Sequence, residues 1–219
     1  LALDAMLELA GQHHEVDHEC RCEPPQDRRL PSTMIRTSLF LVLTLALAVP
    51  SRRWLLSPAT HGFWRFWLWE ANLALLFLCF VGVAEWFRDP LSLRQLASWV
   101  LLFGSLAVLV PGGLLLRRRG LPEERGRKEE DLLPFEKTTQ LVTSGVFRYV
   151  RHPMYASLLY LAWGVLLKRP TWSGLLLALV ATGAAILTAK AEEAEDLRSF
   201  GEPYRDYMKR SKMFVPYLL

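Results

Sequence analysis

The residues best suited to chemistry lie where one apolar run begins. Arg148, Arg151 and His152 precede Pro153 and Tyr155, at the start of a stretch typical of a membrane helix. The first turn of a helix offers unpaired N–H groups and the positive end of the helix dipole. With two arginines beside it, this end can hold an anion at a membrane interface. Arginines that anchor the helix by reaching toward lipid headgroups explain the same pattern, and the residue types alone leave both interpretations open.

A second cluster is acidic and follows directly on another apolar run. Glu192, Glu193, Glu195 and Asp196 come after Lys190, at the end of an otherwise uncharged stretch. Acidic side chains near a helix C-terminus oppose its dipole, so we expect one or two of them to have a cationic partner. A helical hairpin would return this end to the side of the arginines and the histidine. One carboxylate there can hold a ribose diol, as acids do in dinucleotide sites.

Five apolar runs must position these two clusters. Hydrophobic residues make up 52% of the 219 residues, and they fall in long runs separated by short charged stretches, which is the membrane pattern. The third run carries no charge, and its 21 residues suffice to cross about 30 Å of hydrocarbon. The sequence therefore predicts an all-α, polytopic membrane protein of about five transmembrane helices. The runs are 35–49, 66–87, 96–116, 155–167 and 172–189.

Two of these runs contain helix breakers. Pro50 is expected to end the first run. The stretch 34–49 would also suit a cleaved signal peptide, which is the alternative to a first membrane helix. Pro111-Gly112-Gly113, near the end of the third run, predicts a kink or an early unwinding of that helix.

The last two runs predict a tight hairpin. The fourth helix should begin at Pro153, the favoured residue for a first helical position, and turn at 168–171. The fifth should continue through Phe200, with Gly201 as its C-cap and a short helix starting at Glu202. Four small residues should let neighbouring helices approach closely. They are Gly174, Ala178, Gly183 and Ala184.

Charge indicates topology and partners. The net charge is +4, and most Lys and Arg residues lie next to apolar runs, where they report contact with a lipid bilayer rather than with nucleic acid. Five spans place the basic stretch 117–151 and the C-terminus on one side, which the positive-inside rule predicts to be cytoplasmic. The turn at Lys168-Arg169 goes against that rule. We therefore predict an integral protein of a bacterial or archaeal cytoplasmic membrane, with its active site facing the cytoplasm.

Residues 1–33 are polar and are predicted to be a disordered extension. This tail holds several potential metal ligands, but their spacing fits no zinc or copper site, so we predict that the protein binds no metal. These ligands are His13, His14, His18, Cys20 and Cys22.

Motifs in the last third of the chain resemble the isoprenylcysteine carboxyl methyltransferase family, within the wider group of membrane methyltransferases that includes phospholipid N-methyltransferases. The resemblance is carried by Arg151-His152-Pro153-x-Tyr155, a helical hairpin, Glu192-Glu193, and Phe200-Gly201-x-x-Tyr204-x-x-Tyr207. It covers 139–217, and the motifs occur in the family's order and spacing. It implies a methyltransferase domain over 34–219 with its cofactor-binding part at 139–217.

The resemblance further implies S-adenosylmethionine as methyl donor, bound in a pocket at the cytoplasmic end of the hairpin, and a lipophilic or membrane-associated methyl acceptor. An acid of the family contacts the cofactor, and it corresponds to Glu192. We predict catalytic roles for Lys190, Glu193 and Arg148. The other predicted cofactor-binding residues are Thr139, Gln140, Leu141, Val142, Phe147, Arg151, His152, Pro153, Met154 and Tyr155.

Two departures from the family pattern bear on the acceptor. Phe147 stands where the family often has Tyr, and Thr188 stands where eukaryotic members place an Arg that serves the substrate carboxylate. Lys190 is the nearest cation, but it cannot make the planar, two-pronged contact of an arginine. Isoprenylcysteine, a phospholipid amine and a small thiol all stay open as acceptors. An NADPH-dependent membrane reductase and a non-enzymatic membrane protein are the alternatives to a methyltransferase.

Overall fold

The structure, a computed structural model, describes residues 32–56, 61–83, 86–87, 89–119 and 141–216. Every regular element in these ranges is helical, and an isolated parallel bridge joins Val150 to Lys212. The prediction of an all-α protein is therefore confirmed. The elements are α1 (Ser32–Leu55), α2 (His61–Val81), α3 (Leu93–Arg119), a 3-10 turn (Gly145–Arg148), α4 (Pro153–Lys168), α5 (Trp172–Phe200) and α6 (Glu202–Arg210).

Four of the described helices, α1, α2, α3 and α5, are long and apolar enough to cross a membrane. The protein is thus an integral membrane protein. At 16 residues α4 is shorter than these four, and ten of those residues are buried. Helix α4 packs against α3, α5 and α2. Helix α1, in contrast, packs mainly against α2. The short fourth helix is therefore the centre of the bundle.

The helices alternate in direction, which gives the bundle two distinct ends. The side chain of Arg94, in the first turn of α3, donates to the carbonyl oxygens of Leu167 and Lys168 at the end of α4. At the opposite end, Gly112 of α3 packs against Pro153 at the start of α4. We call the end with Pro153 and the last turns of α5 the site end, and the end with Lys168 and the start of α5 the turn end.

Small side chains and hydroxyl groups bring α3 and α4 together. The Ser98 hydroxyl donates to the Gly164 carbonyl at 2.7 Å, and the Ser105 hydroxyl donates to the Ser157 carbonyl at 2.8 Å. A Cβ at Gly164 would lie 3.0 Å from the Leu102 side chain, so glycine permits the approach. In an apolar environment such interhelical hydrogen bonds supply the attraction that the hydrophobic effect cannot.

The hairpin forms as predicted. Helix α4 begins at Pro153, α5 runs to Phe200, and Gly201 ends it at a positive φ of 63° before α6 begins. The Thr171 hydroxyl caps α5 by accepting from the Gly174 N–H at 3.0 Å. Of the four small residues expected at helix contacts, Gly174, Ala178 and Ala184 are buried. The prediction for Gly183 is wrong, because it is exposed and a Cβ there would meet nothing within 4 Å.

Predicted helix ends differ from the observed ones at both prolines. Helix α1 continues through Pro50 to Leu55, and α3 continues through Pro111 to Arg119, so the expected stop and the expected early unwinding are both wrong. A proline removes one backbone hydrogen bond. Ending the helix inside the membrane would leave several backbone N–H and C=O groups without hydrogen bonds, which costs more free energy than the one bond lost at the proline.

Helix α2 is shifted toward the N-terminus relative to the predicted run 66–87. It ends at Val81, where the Gly82 N–H and the Trp86 indole N–H both donate to the Cys79 carbonyl. At its other end the helix extends back to His61 and includes Arg65, which is 1% exposed. A side-chain cap on the last turn therefore decides the boundary, and hydropathy alone does not report such a cap.

Candidate active site

The site is built first from the loop that leads into α4. The 3-10 turn begins at Gly145, whose φ of 61° favours glycine. A Cβ at Gly145 would also lie 2.9 Å from Leu115 of α3. The N–H groups of Tyr149 and Val150 both donate to the Val146 carbonyl at 3.1 Å, and Val150 is 1% exposed. The loop is thus held against the end of α3, and His152 emerges from it at a fixed place.

The C-terminal segment 211–216, which we call the strap, runs beside this loop. The Lys212 N–H donates to the Tyr149 carbonyl, and the Lys212 carbonyl accepts from the Arg151 N–H at 2.7 Å. The His152 N–H donates to the Met213 carbonyl at 3.2 Å. The Arg151 guanidinium adds hydrogen bonds to the carbonyls of Met208 and Ser211. The strap therefore fixes the backbone of both residues that carry charge at the helix start.

Helix α6 presents two tyrosines to the same loop. The Tyr207 hydroxyl donates to the Phe147 carbonyl at 2.6 Å, in a buried position. Burial raises the pKa of Tyr204 far above its usual range, and the nearby carboxylates Asp196, Glu193 and Glu192 raise it further. Burial likewise raises the pKa of Tyr207. Both phenols therefore keep their protons at any physiological pH.

The charged cluster joins the start of α4 to the end of α5. Arg151 Nε lies 2.8 Å from Glu193 Oε1, and His152 Nε2 lies 3.3 Å from the same oxygen. His152 Nδ1 lies 3.3 Å from Glu192 Oε2. The side chains of Arg151, His152 and Glu193 are 10% exposed or less, whereas that of Glu192 is 22% exposed. The expectation that acids at this helix end have cationic partners is met by both glutamates.

His152 carries a positive charge in this arrangement. Burial alone lowers the pKa of the imidazole, but the hydrogen bonds and charges of Glu192 and Glu193 outweigh it and raise the pKa to about 9. A carboxylate oxygen lies 3.3 Å from each ring nitrogen, and two negative charges beside the ring favour its doubly protonated form. The ring also stacks on Tyr155 at 5.7 Å between centroids.

Comparisons with known proteins match this part of the chain. A family model described as phospholipid methyltransferase matches residues 126–203, which include the loop, the hairpin and the charged cluster. This match covers less than half of the chain. No solved structure matches the chain.

Two curated proteins that are similar to part of this chain are named methanethiol S-methyltransferases. One, from Pseudomonas deceptionensis, is 34% identical over 73 residues, which are 33% of this chain and 27% of that protein. The other, from Mycobacterium tuberculosis, is 32% identical over 72 residues, which are 33% of this chain and 29% of that protein. The chain thus matches less than a third of the length of these relatives.

Within the described part of 126–203, the structure brings some of the predicted residues together. Arg151, His152, Tyr155, Glu192 and Glu193 share contacts at the site end. Three more lie in the loop or at the start of α4, where Phe147 and Pro153 are buried and Met154 is half-buried. Leu141 and Val142 lie just before the loop and are also half-buried.

Other predicted residues lie apart from the cluster or outside the described ranges. Lys190 is exposed, and the described contacts of the charged cluster do not include it. Arg148 is exposed and lies over the ring of its neighbour Tyr149, at 5.8 Å from the centroid. Thr139 and Gln140 lie outside the residues that the structure describes. The binding and catalytic roles of all these residues stay predictions.

Sequence reasoning missed the strap and the role of α6. Ser211 and Met213 give the loop backbone hydrogen-bond partners, and Phe214 lies 6.3 Å from the His152 ring. The i, i+3 spacing of Tyr204 and Tyr207 does indicate one buried face of a short helix. No side-chain pattern indicates the strap, because its contacts with the loop are made chiefly by backbone atoms.

The side chains of the charged cluster fit the cofactor that the sequence resemblance implies. S-adenosylmethionine carries a carboxylate, an ammonium group and a ribose diol. Cations that suit a carboxylate, Arg151 and His152, lie beside acids that suit an ammonium group or a diol, Glu192 and Glu193. Glu192 is the more exposed of the two acids and therefore the better placed to reach a ligand.

Proposed function

We propose that this protein is an S-adenosylmethionine-dependent membrane methyltransferase with its cofactor site at the site end of the α4–α5 hairpin. The observation that supports this most is the contact between Glu192 and His152, at 3.3 Å, inside the segment that the phospholipid methyltransferase family model matches. The contact brings together the two motifs by which the sequence resembles membrane methyltransferases. An NADPH-dependent reductase has no comparable support among the family matches.

In this mechanism the cluster binds and orients rather than transferring protons. His152 holds both ring protons, since each faces a carboxylate, and so it does not act as a base. Glu193 is shared between Arg151 and His152 and fixes their side chains. Glu192, at the exposed rim, binds the ribose diol or the ammonium group.

The bound cofactor supplies an electrophilic methyl group on a sulfonium. Transfer requires an acceptor lone pair in line with the bond that breaks, and correct positioning can supply several kcal/mol of the barrier. Arg151, His152 and Glu192 would hold the cofactor in the orientation that this transfer needs, and a protonated acceptor would lose its proton to solvent. The buried cluster keeps water away from the carboxylate of Glu193, so its electrostatic contacts are stronger than they would be in solvent.

The acceptor that we favour is a small thiol. Both curated relatives are named for methanethiol, and the fully buried Thr188 occupies the position that would otherwise carry an arginine for a substrate carboxylate. The Thr188 hydroxyl donates to the Ala184 carbonyl of its own helix at 2.7 Å. A phospholipid amine is the second candidate, and the description of the matching family favours it.

The acceptor is tested with purified protein in detergent and labelled S-adenosylmethionine. Methanethiol, phosphatidylethanolamine and a farnesylated cysteine are supplied separately, and the labelled product and S-adenosylhomocysteine are quantified. We expect labelled dimethyl sulfide with methanethiol. Labelled lipid would support the second candidate instead. If S-adenosylhomocysteine forms neither with these three acceptors nor with a membrane extract, the result would favour a non-enzymatic protein.

Cofactor binding is tested separately by calorimetry. Glu192→Ala should weaken S-adenosylmethionine binding by at least tenfold, equivalent to about 1.4 kcal/mol. The free energy of unfolding should fall by less than this amount. Glu202→Ala, which removes an exposed acid of α6, is the matched control and should bind as the wild type does. Unchanged affinity in Glu192→Ala would contradict the proposed site.

A further inference from the structure

We infer that the turn end of the bundle carries a binding site for the headgroup of an anionic phospholipid, separate from the proposed active site. It is centred on Arg169 in the turn between α4 and α5. Helix α4 has 16 residues, so this turn lies about 24 Å from the start of α4. The inference does not depend on the proposed methyltransferase activity.

A cavity of about 160 Å³ opens at this turn. Its polar wall is formed by Arg169, Thr171 and Ser173, and its apolar wall includes Leu75, Leu78 and Val165. A cation and two hydroxyls on one side and aliphatic side chains on the other match the two parts of a phospholipid, its phosphate and the start of an acyl chain.

The position of the arginine is built into the end of α2. A Cβ at Gly82 would lie 2.6 Å from Arg169 Cδ and 2.7 Å from Arg169 Nη1, so any larger residue there would displace the arginine side chain from this position. The guanidinium therefore crosses the end of α2 on its way to the cavity wall. An arginine that merely extended into water would not need this space.

Two further cations of the turn end, Arg94 and Lys168, do not line this cavity. The Arg94 guanidinium donates to the carbonyls of Leu167 and Lys168. The Lys168 ammonium donates to Gln95 Oε1 at 2.8 Å and lies 3.5 Å from the centre of the Trp99 ring. Of these three cations, Arg169 is the one that lines the cavity.

The hydroxyls complete a surface suited to phosphate oxygens. The Thr171 oxygen accepts from the Gly174 N–H and lies 3.3 Å from the Ser173 oxygen. This is the first turn of α5, where the helix dipole adds positive potential. Anionic headgroups are attracted to such sites, and each cation near the membrane surface contributes about 1 kcal/mol. A headgroup ligand also gives a physical reason for Arg169 in a turn that opposes the positive-inside rule.

The test measures phospholipid retained by the purified full chain, by native mass spectrometry after addition of phosphatidylglycerol or phosphatidylcholine. We expect the wild type to retain phosphatidylglycerol preferentially. Arg169→Gln should lower retention about fivefold, the equivalent of one cation near the membrane surface. Gly82→Ala should lower it as well, because its Cβ displaces the arginine side chain.

Gly183→Ala is the matched control, since a Cβ there meets nothing within 4 Å, and it should retain lipid as the wild type does. Arg169→Lys keeps the positive charge and covers the case in which Arg169→Gln does not fold. Its phospholipid retention should lie between that of the wild type and that of Gly82→Ala. Equal retention in the wild type, Arg169→Gln and Gly82→Ala would overturn the inference. Displacement of the lipid by millimolar inorganic phosphate would also overturn it, because the site would then take a free anion.

Discussion

The two ends of the α4–α5 hairpin are made from the same pair of helices, yet their charges are arranged differently. At the site end, cations from one element meet acids from another, with Arg151 and His152 paired to Glu192 and Glu193. At the turn end, the Lys168 ammonium contacts the neutral amide of Gln95 and the aromatic ring of Trp99. Opposite charges brought together from separate segments can bind a zwitterionic ligand, whereas the proposed turn-end site offers a cation and would bind an anion.

The largest expected effect is loss of Glu193 at the site end. Glu193→Ala leaves Arg151 and His152 buried without their shared partner, and removing one member of a buried ion pair typically costs about 3–5 kcal/mol. Chemical denaturation in detergent should show a lower free energy of unfolding by an amount of this order. The control is Glu202→Ala, whose exposed ion pair with Arg205 is worth little. Equal stability of the two variants would show that the cluster is not held by Glu193.

The second effect is a loss of stability at alkaline pH. The pKa of His152 is raised from 6.5 to about 9, so the folded state binds this proton more tightly than the unfolded state. The stabilisation is complete below the unfolded value and is lost as pH rises from about 6.5 through about 9, with a slope of at most about 1.4 kcal/mol per pH unit. Thermal unfolding across this range should reveal it, and His152→Gln should flatten the profile. A wild-type profile that is already flat would contradict the charged histidine.

The third effect compares two adjacent glycines of α3. A Cβ at Gly112 would lie 3.2 Å from the Pro153 ring, whereas a Cβ at Gly113 meets nothing within 4 Å. Gly112→Ala should therefore displace the start of α4 and cost about 1–3 kcal/mol, together with weaker S-adenosylmethionine binding. Gly113→Ala should leave S-adenosylmethionine binding unchanged and should leave the stability unchanged or raise it slightly. Calorimetry and unfolding on both variants provide the check, and equal behaviour of the pair would exclude a positioning role for Gly112.

The smallest expected effect on the site comes from the turn end. Lys168→Met removes the hydrogen bond to Gln95 and the contact with the Trp99 ring, which should cost roughly 1–2 kcal/mol of stability. Cofactor affinity should not change, because the substitution lies about 24 Å from His152 by the rise of α4. A drop in affinity comparable to that of Glu192→Ala would mean that the two ends of the hairpin are coupled.

Much of the bundle could be predicted from hydropathy and helix-capping residues. The bounds of α4 and α5 follow from Pro153, Gly201 and a hairpin turn, and their positions match. The ends of α1 and α3 could not be predicted from Pro50 and Pro111, because the membrane environment makes a broken helix costlier than a proline within one. The hydrophobic pattern shows which face of a helix is apolar. It does not show whether a proline ends the helix or is accommodated within it.

The sequence by itself determined the helical class, the hairpin and the likeness to membrane methyltransferases, since periodic apolar runs and short motifs are local properties of the chain. Only the tertiary structure decided which acid meets which cation. Glu193 binds both Arg151 and His152, while Lys190 is exposed and Arg148 lies over the Tyr149 ring. The strap was also visible only in three dimensions, because its contacts with the loop are made chiefly by backbone atoms, which every residue type except proline can supply equally.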